Sequence, residues 1–536
     1  MTSGKSVAHR AAAGQQASWV SVAGLFAAGL TLVVHAWAYD FVSDDAFIVA
    51  RYARNVVENH GWVYNIGEPV EGYTSFLWVA LTAVLGFVGV NFVAAVRALS
   101  LVGGLGCLVV MYLAAPLLGI GRHSLLACLS PFLLAASGAT ACWSLGGLEA
   151  CGYAAVILVA LLLAGDEQAD ARRLTKAGVA CGVCALLRPE GILTAMALTA
   201  WLVVARGRTA WRLILAFLIP IVIIVGSHLL WRHHYYGDWL PNTFYVKVGT
   251  SSAQIHRGLR YVLAFAKDHG GLLVWVIPFV AVWVLPRRPL ARALSVVGAA
   301  LVAGVIVVGG DGLPMYRFMV PVIPIWALLM QTVLAELLTQ VRRLLPAQPA
   351  RGGLALFGIL VCAMVPLAVK PTRLAQYDLY DYQKRVEVPG WTAAGMWLAR
   401  NAAADSSIAC VPIGAVGYYS RLHVYDMTGL TDKHIAHLPV HTGSGWAGHE
   451  KHDGPYILSK KPTYLLLGNI QVTKQKIPSD HPYFVRPPIP AIQEREGDIF
   501  VPGLFRQYER KVAVLPGGRY FHFLQRRPTP NSRRPG

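Results

Sequence analysis

The 536-residue sequence predicts a multi-pass α-helical membrane protein of about eleven spans with a C-terminal extracytoplasmic α/β domain. Three observations lead there. Hydrophobic residues make up 55% of the chain and charged ones only 14%, far from the balance of a soluble globular protein. Apolar runs recur, several reaching the roughly 20 residues that cross ~30 Å of hydrocarbon. The arginines concentrate in the short polar breaks between those runs.

The excess of 47 Lys+Arg over 28 Asp+Glu invites a nucleic-acid reading, but no basic stripe forms on a soluble domain, so nucleic acid is excluded as a partner. The basic residues sit in loops such as DARRLTK (170–176), RGRTAWR (206–212) and PRRPLAR (286–292), the distribution of cytoplasmic loops. A short N-terminus, 1–17, is expected in the cytoplasm. The first run, 18–37, lacks a small-residue cleavage site and reads as a retained span that delivers Asp44 and Asp45 to the outer side. Counting 76–90 as a span would put the next basic loops outside. Read as a helix lying in the outer interface, it keeps them inside. The expected crossings are then 18–37, 97–118, 124–141, 150–165, 174–187, 190–205, 212–231, 271–286, 292–309, 318–338 and 353–369, with 38–96 as a first outer loop.

Charges, prolines and histidines return from Lys370, and 370–525 reads as a small outer α/β domain; the tail 526–536 has too few apolar residues to pack. Cys107, Cys128, Cys181, Cys184 and Cys362 fall within expected spans, which argues against a secreted disulfide framework. CGVC at Cys181 reads as small packing residues. Neither a zinc spacing nor a P-loop is present, so no motif demands a cofactor.

On this topology the unusual polar residues gather on the outer face. Asp44 and Asp45 open the segment FVSDDAFIVARYARN (41–55) directly after the first span. Adjacent acids disfavour double ionisation and lift one pKa toward working pH, which suits a general base; equally, Asp at a helix start can simply cap it. A divalent cation on Asp45 with Glu149 is a further use of these acids. VEGYTS (70–75) adds Glu71 ahead of the interfacial helix. In LRPEG (187–191), Arg188 and Glu190 stand at a helix break, either as a mutual pair or with Arg188 holding a lipid phosphate. WRHHYYGDWLPNTFYVK (231–247) combines His234, Tyr236, Asn242 and Lys247; an interfacial aromatic belt explains the rings but not those donors, which suit a sugar or phosphate. In GGDGLPMYRF (309–318) the glycines let backbone amides approach an anion, while Asp311 and Arg317 can equally form an ion pair.

In this order, DDAFIVARYARNVVENHGWVYNIGEPVEGYTS, GGLEA, LRPEG, YYGDWLPNTFYVK, GGDGLPMYRF, YDMTGLTDKHIAH (425–437) and GHEK (448–451) resemble the GT-C-type membrane glycosyltransferases, most closely the mycobacterial terminal β-(1→2)-arabinofuranosyltransferase family. The resemblance implies a plasma-membrane enzyme with an extracytoplasmic active site. Its donor would be a polyprenyl-phosphate sugar, arabinofuranose in those relatives, and its acceptor a hydroxyl of a cell-envelope glycan. The family's acidic first-loop motif maps to Asp44 and Asp45, with Asp44 favoured as the base. Arg51, Arg188, Lys247 and Arg317 are candidates to neutralise the departing lipid phosphate, because positive charge stabilises the anion as it forms. Glu71, Glu190, His234, Tyr236, Asn242 and Asp311 join them as donor contacts, and Asp426, Asp432, His449 and Lys451 as acceptor or sugar contacts. Transfer of another sugar to a surface polysaccharide or protein is the nearest alternative. A lipid or solute transporter is another, though no internal repeat is evident.

Overall fold

The computed structural model describes residues 3–122, 124–207, 210–249, 251–286, 288–344, 376–440, 443, 445, 447–468, 470–478 and 497–528. The chain divides into two compact units. The first comprises Met1–Phe41, Arg97–His228 and Gly258–Asp378; the second comprises Val42–Val96, Leu229–Arg257 and Leu379–Gly536.

The first unit is helical. Among the described residues, the helical stretches Trp19–Tyr39, Phe92–Leu118, Trp211–Tyr236, Pro289–Val307 and Val322–Gln340 are long and apolar enough to cross a membrane. Ser252–Asp268 and Leu272–Val284 form a further pair, bent by 96°. The remaining expected crossings are shorter or broken. The stretch 124–141 is three pieces, a 3-10 turn Leu125–Cys128 and helices Leu129–Ala135 and Gly138–Trp143, the last restarted by Ser137, whose hydroxyl accepts from Thr140 N–H. Helix Ala171–Leu187 ends where Arg188 turns extended ahead of Pro189, and helix Gly191–Arg206 starts afresh, so the expected break falls there. The expected span 353–369 and the tail from 529 lie outside the described residues.

Packing in this unit uses small residues, as it must where lipid removes the hydrophobic drive between helices. A Cβ on Gly103 would lie 2.4 Å from Gly152 N, one on Gly178 2.1 Å from Phe217 O, and one on Gly258 2.1 Å from Ile306 O. Backbones therefore touch. Trp143 is fully buried, edge-on to Phe41 and donating its indole N–H to Pro314 O at 3.1 Å.

The second unit joins sequence-distant pieces. Its sheet runs β2 (His423–Asp426), β1 (Ser407–Cys410), β3 (Tyr464–Leu466), β6 (Arg519–Arg526), β4 (Val472–Thr473), with β5 (Tyr508–Leu515) also on β6. β1 pairs parallel with β2 and β3, Ile408 standing beside Val424 and Tyr464; β6 pairs antiparallel with its neighbours. Helix Gly414–Ser420 makes the β1–β2 crossover that parallel pairing requires. Ala409, Met427, Ile435, Ile457, Leu465 and Leu524 fill the core below.

The first-loop helices Asp44–Val57 and Phe76–Phe87 belong to this same unit. The latter has 12 residues, fewer than the roughly 20 of a full crossing. Between them the loop is anchored by Glu71, whose carboxylate takes both Nε (2.6 Å) and Nη2 (3.2 Å) of Arg232, with both residues buried. Glu71 thus acts here as an internal counter-ion. Removing one partner of such a pair strands the other charge at a cost of about 3–5 kcal/mol. Arg232→Ala is expected to lower the thermal midpoint of the detergent-solubilised protein by several degrees, and adding Glu71→Gln to recover part of the loss. Tryptophan fluorescence on heating measures both.

Candidate active site

Asp44 and Asp45 occupy the first turn of helix Asp44–Val57, preceded by Ser43 in extended conformation. The capping alternative is half right: Asp44 caps, but not its own helix. Its Oδ2 accepts the Gly414 N–H at 2.9 Å and its Oδ1 the Ala415 N–H at 2.7 Å, where helix Gly414–Ser420 begins. Gly414 is required for this approach, because a Cβ there would lie 2.0 Å from Asp44 O. Burial pushes the Asp44 carboxyl up to about 7; the two amides oppose the rise and the Asp45 charge adds to it.

Two and three turns further on, the same helix presents two arginines to the same partner. Arg51 donates to Tyr64 O (2.8 Å), Gly417 O (2.7 Å), Leu422 O (2.8 Å) and Asn65 Oδ1 (3.2 Å), with its guanidinium 4.1 Å from the Tyr64 ring centre. Arg54 donates to Tyr418 O at 2.8 Å. Arg51 is therefore a buried backbone clamp, which corrects its assignment as a ligand of the lipid phosphate: carbonyls inside the fold already occupy its donors.

The 231–247 stretch divides similarly. Tyr236 donates to Trp62 O at 2.8 Å and meets Tyr73 Oη at 2.9 Å, and the Asn242 side-chain amide donates to Gly429 O and Leu430 O, so both hold the unit together rather than presenting donors to a sugar. Asn242 Oδ1 is buried with no hydrogen-bond partner among the described residues. His234 is exposed. Lys247 is half-buried, its stem lying along Gly448, and its ammonium has no ion-pair partner among the described residues.

Among the acceptor candidates, Asp426 is saturated. It takes the N–H groups of Thr428, Gly429 and Thr431 and the hydroxyls of Thr428 and Thr431, five donors for about four lone-pair positions. Asp432 accepts Ile435 N–H as a helix cap and Tyr456 Oη–H at 3.0 Å; Lys451 donates to Ala436 O at 2.7 Å; His449 Nδ1 lies 3.2 Å from Ala447 O. Internal bonds thus engage Asp426, Asp432 and Lys451. Asp44, with two donors, keeps acceptor capacity that Asp426 has lost.

The first unit carries its own polar cluster. Arg188 donates to Glu149 at 2.8 Å and to Glu190 at 3.1 Å, and Arg317 to Asp311 at 2.7 and 3.0 Å. The ion-pair readings of LRPEG and GGDGLPMYRF are the observed ones, with Glu149 as the partner that sequence spacing did not reveal. Both guanidiniums lie over the Phe318 ring, at 4.6 and 5.0 Å. They line one cavity with Tyr153 and Glu190 on its polar side and Leu193, Leu301, Val305 and Pro321 on its apolar side. No group of three His, Cys, Asp or Glu among the described residues is placed to hold a metal, and Glu149 spends an oxygen on Arg188 instead. Arg232 and Arg54 went unnoticed in the sequence because their partners, the Glu71 carboxylate and the Tyr418 carbonyl, lie far away along the chain.

Residues 375–518 match a domain of unknown function (DUF8728). The chain is 28% identical over 256 residues to the terminal β-(1→2)-arabinofuranosyltransferase of Mycobacterium tuberculosis, covering 45% of this chain and 39% of that one. It is 44% identical over 57 residues to the Corynebacterium glutamicum protein of the same name, 10% of this chain and 8% of the other. The matched regions thus span well under half the length of either relative. In fold, the chain resembles ArnT from Cupriavidus metallidurans bound to undecaprenyl phosphate (TM-score 0.52, 16% identity, 76% of this chain and 85% of that one). It also resembles the Archaeoglobus fulgidus oligosaccharyltransferase carrying a tethered acceptor peptide (TM-score 0.52, 14% identity, 95% and 74%). The architecture is that of the GT-C fold, a multi-pass helical membrane protein with a C-terminal α/β domain.

The cradle of Asp44 makes two measurable statements. Gly414→Ala forces Asp44 off its amides, and amide hydrogen exchange at 414–415 is expected to accelerate at least tenfold. Because the folded carboxyl binds its proton up to about pH 7 while the unfolded one releases it near 3.8, the native state holds the extra proton between those values. The Asp44 contribution to stability therefore falls as pH rises from about 4 to 7 and is level above. Asp44→Asn should flatten that slope in chemical unfolding series.

Proposed function

We propose that this chain is an integral membrane glycosyltransferase that moves a sugar, arabinofuranose, from a polyprenyl-phosphate carrier to a hydroxyl of a cell-envelope glycan on the extracytoplasmic side of the plasma membrane. The observation that carries the reading is Asp44. It is a carboxylate fixed by two backbone amides, with acceptor capacity to spare and a pKa pushed up to about 7, at the start of helix Asp44–Val57. A base is most effective when its pKa lies near the working pH. The similarity to arabinofuranosyltransferases and the fold shared with a protein seen on undecaprenyl phosphate support the donor class.

In this mechanism the acceptor hydroxyl gives its proton to Asp44 and its oxygen bonds to the anomeric carbon. The bond from that carbon to the phosphate oxygen breaks, and both its electrons leave with the polyprenyl phosphate. The developing phosphate charge calls for fixed cations. Within the second unit Lys247 is our candidate for that role, since its ammonium has no ion-pair partner among the described residues while Arg51 and Arg54 donate to carbonyls.

Purified protein supplied with radiolabelled polyprenyl-phosphate sugars and an acceptor mixture tests the reading. Transfer is expected to rise with pH through about 7 and level off, since the base must be unprotonated. Asp44→Asn should lower turnover by about 100-fold or more. An Asp44→Asn protein that keeps the wild-type rate and pH limb would place the base elsewhere. Donor carried intact across vesicles without transfer would make the protein a transporter.

A further inference from the structure

We infer that helix Ser252–Asp268, from Gly258 onward, is an anionic-lipid-binding surface that lies in the plane of the membrane interface. Its inner face is fixed. Gly258 sits against the Ile306 carbonyl, Tyr261, Phe265 and Ala266 are buried, and Asp268, the helix's one acid, accepts the Tyr316 hydroxyl at 2.5 Å.

The outer face carries two adjacent stripes. Leu259 and Leu263, one turn apart, are 42% and 43% exposed. Beside them Arg260 and Lys267 are exposed, with no ion pair to any described residue. An apolar stripe bordered by cations is the pattern of a helix that sinks one edge into acyl chains and holds the other among headgroups.

The bend decides the orientation. Gly270 and Gly271 both take left-handed φ angles, 98° and 97°, and Gly271 N–H closes on Ala266 O at 2.7 Å, ending the helix in a Schellman turn. The next helix, Leu272–Val284, leaves at 96°, and its exposed side is apolar: Leu273 70%, Ile277 52%, Val280 59%, Val284 83%. With that helix running into hydrocarbon, its predecessor lies flat. Upright, Arg260 and Lys267 would stand about 10 Å apart along the normal, with one of them deep in lipid. Flat, both reach the headgroup layer, where cations meet lipid phosphate. The occupant is therefore anionic phospholipid, bound by charge on one stripe and by burial on the other.

The full-length protein in nanodiscs of phosphatidylglycerol and phosphatidylcholine tests this by two readouts. Spin labels at Leu259→Cys and Leu263→Cys are expected to relax with oxygen, and one at Arg260→Cys with a water-soluble nickel chelate. Equal aqueous exposure of all three would overturn the interfacial placement. The double variant Arg260→Gln/Lys267→Gln should lose its preference for phosphatidylglycerol among co-purified lipids by about fivefold per charge removed. An unchanged preference, or one equally strong for phosphatidylcholine in the parent, would overturn the anionic-lipid assignment.

Discussion

Helix Asp44–Val57 grips helix Gly414–Ser420 at both ends, and the second unit is assembled on that grip. The acid meets free amides where the short helix starts; Arg51 and Arg54 meet carbonyls at Gly417, Tyr418 and, just past its end, Leu422. The order of charges along one helix thus matches the order of unsatisfied backbone groups along the other. Arg51 and Arg54 are buried away from water, so each is stable only while its partners stay in place. A loop from near the start of the chain and a crossover helix from the C-terminal domain are tied together by that mutual need.

The same rule shapes the first unit, where the surroundings are more apolar. Arg188 and Arg317 share one ring, Phe318, and each carries its own carboxylate partners. Such pairing keeps cations inside a membrane domain without leaving an isolated charge.

Counting donors separates an acid with acceptor capacity left from a saturated one. Asp426 resembles Asp44 in its raised pKa, yet its five donors fix the strand-to-loop turn and exhaust its oxygens. Asp44 has enough contacts to be held still and few enough to accept a proton. The direction of the pKa shift alone would not tell these two residues apart.

Periodicity and composition by themselves determined the helical membrane domain, the break before Pro189, the α/β character of the C-terminal part and the unusual gathering of charge around Asp44, Glu71, Arg188 and Arg317. Those properties depend on local patterning and on the cost of burying charge, which a linear string records. Two of the pairings, Arg188 with Glu190 and Asp311 with Arg317, were also legible, because the partners lie within six residues. Tertiary structure alone decided that Arg51 clamps carbonyls, that Glu71 belongs to Arg232 and that Asp44 sits on amides 370 residues away. Hydrogen bonding depends on distance in space, and a charged side chain reads the same in sequence whether its partner is a substrate or a distant piece of its own backbone.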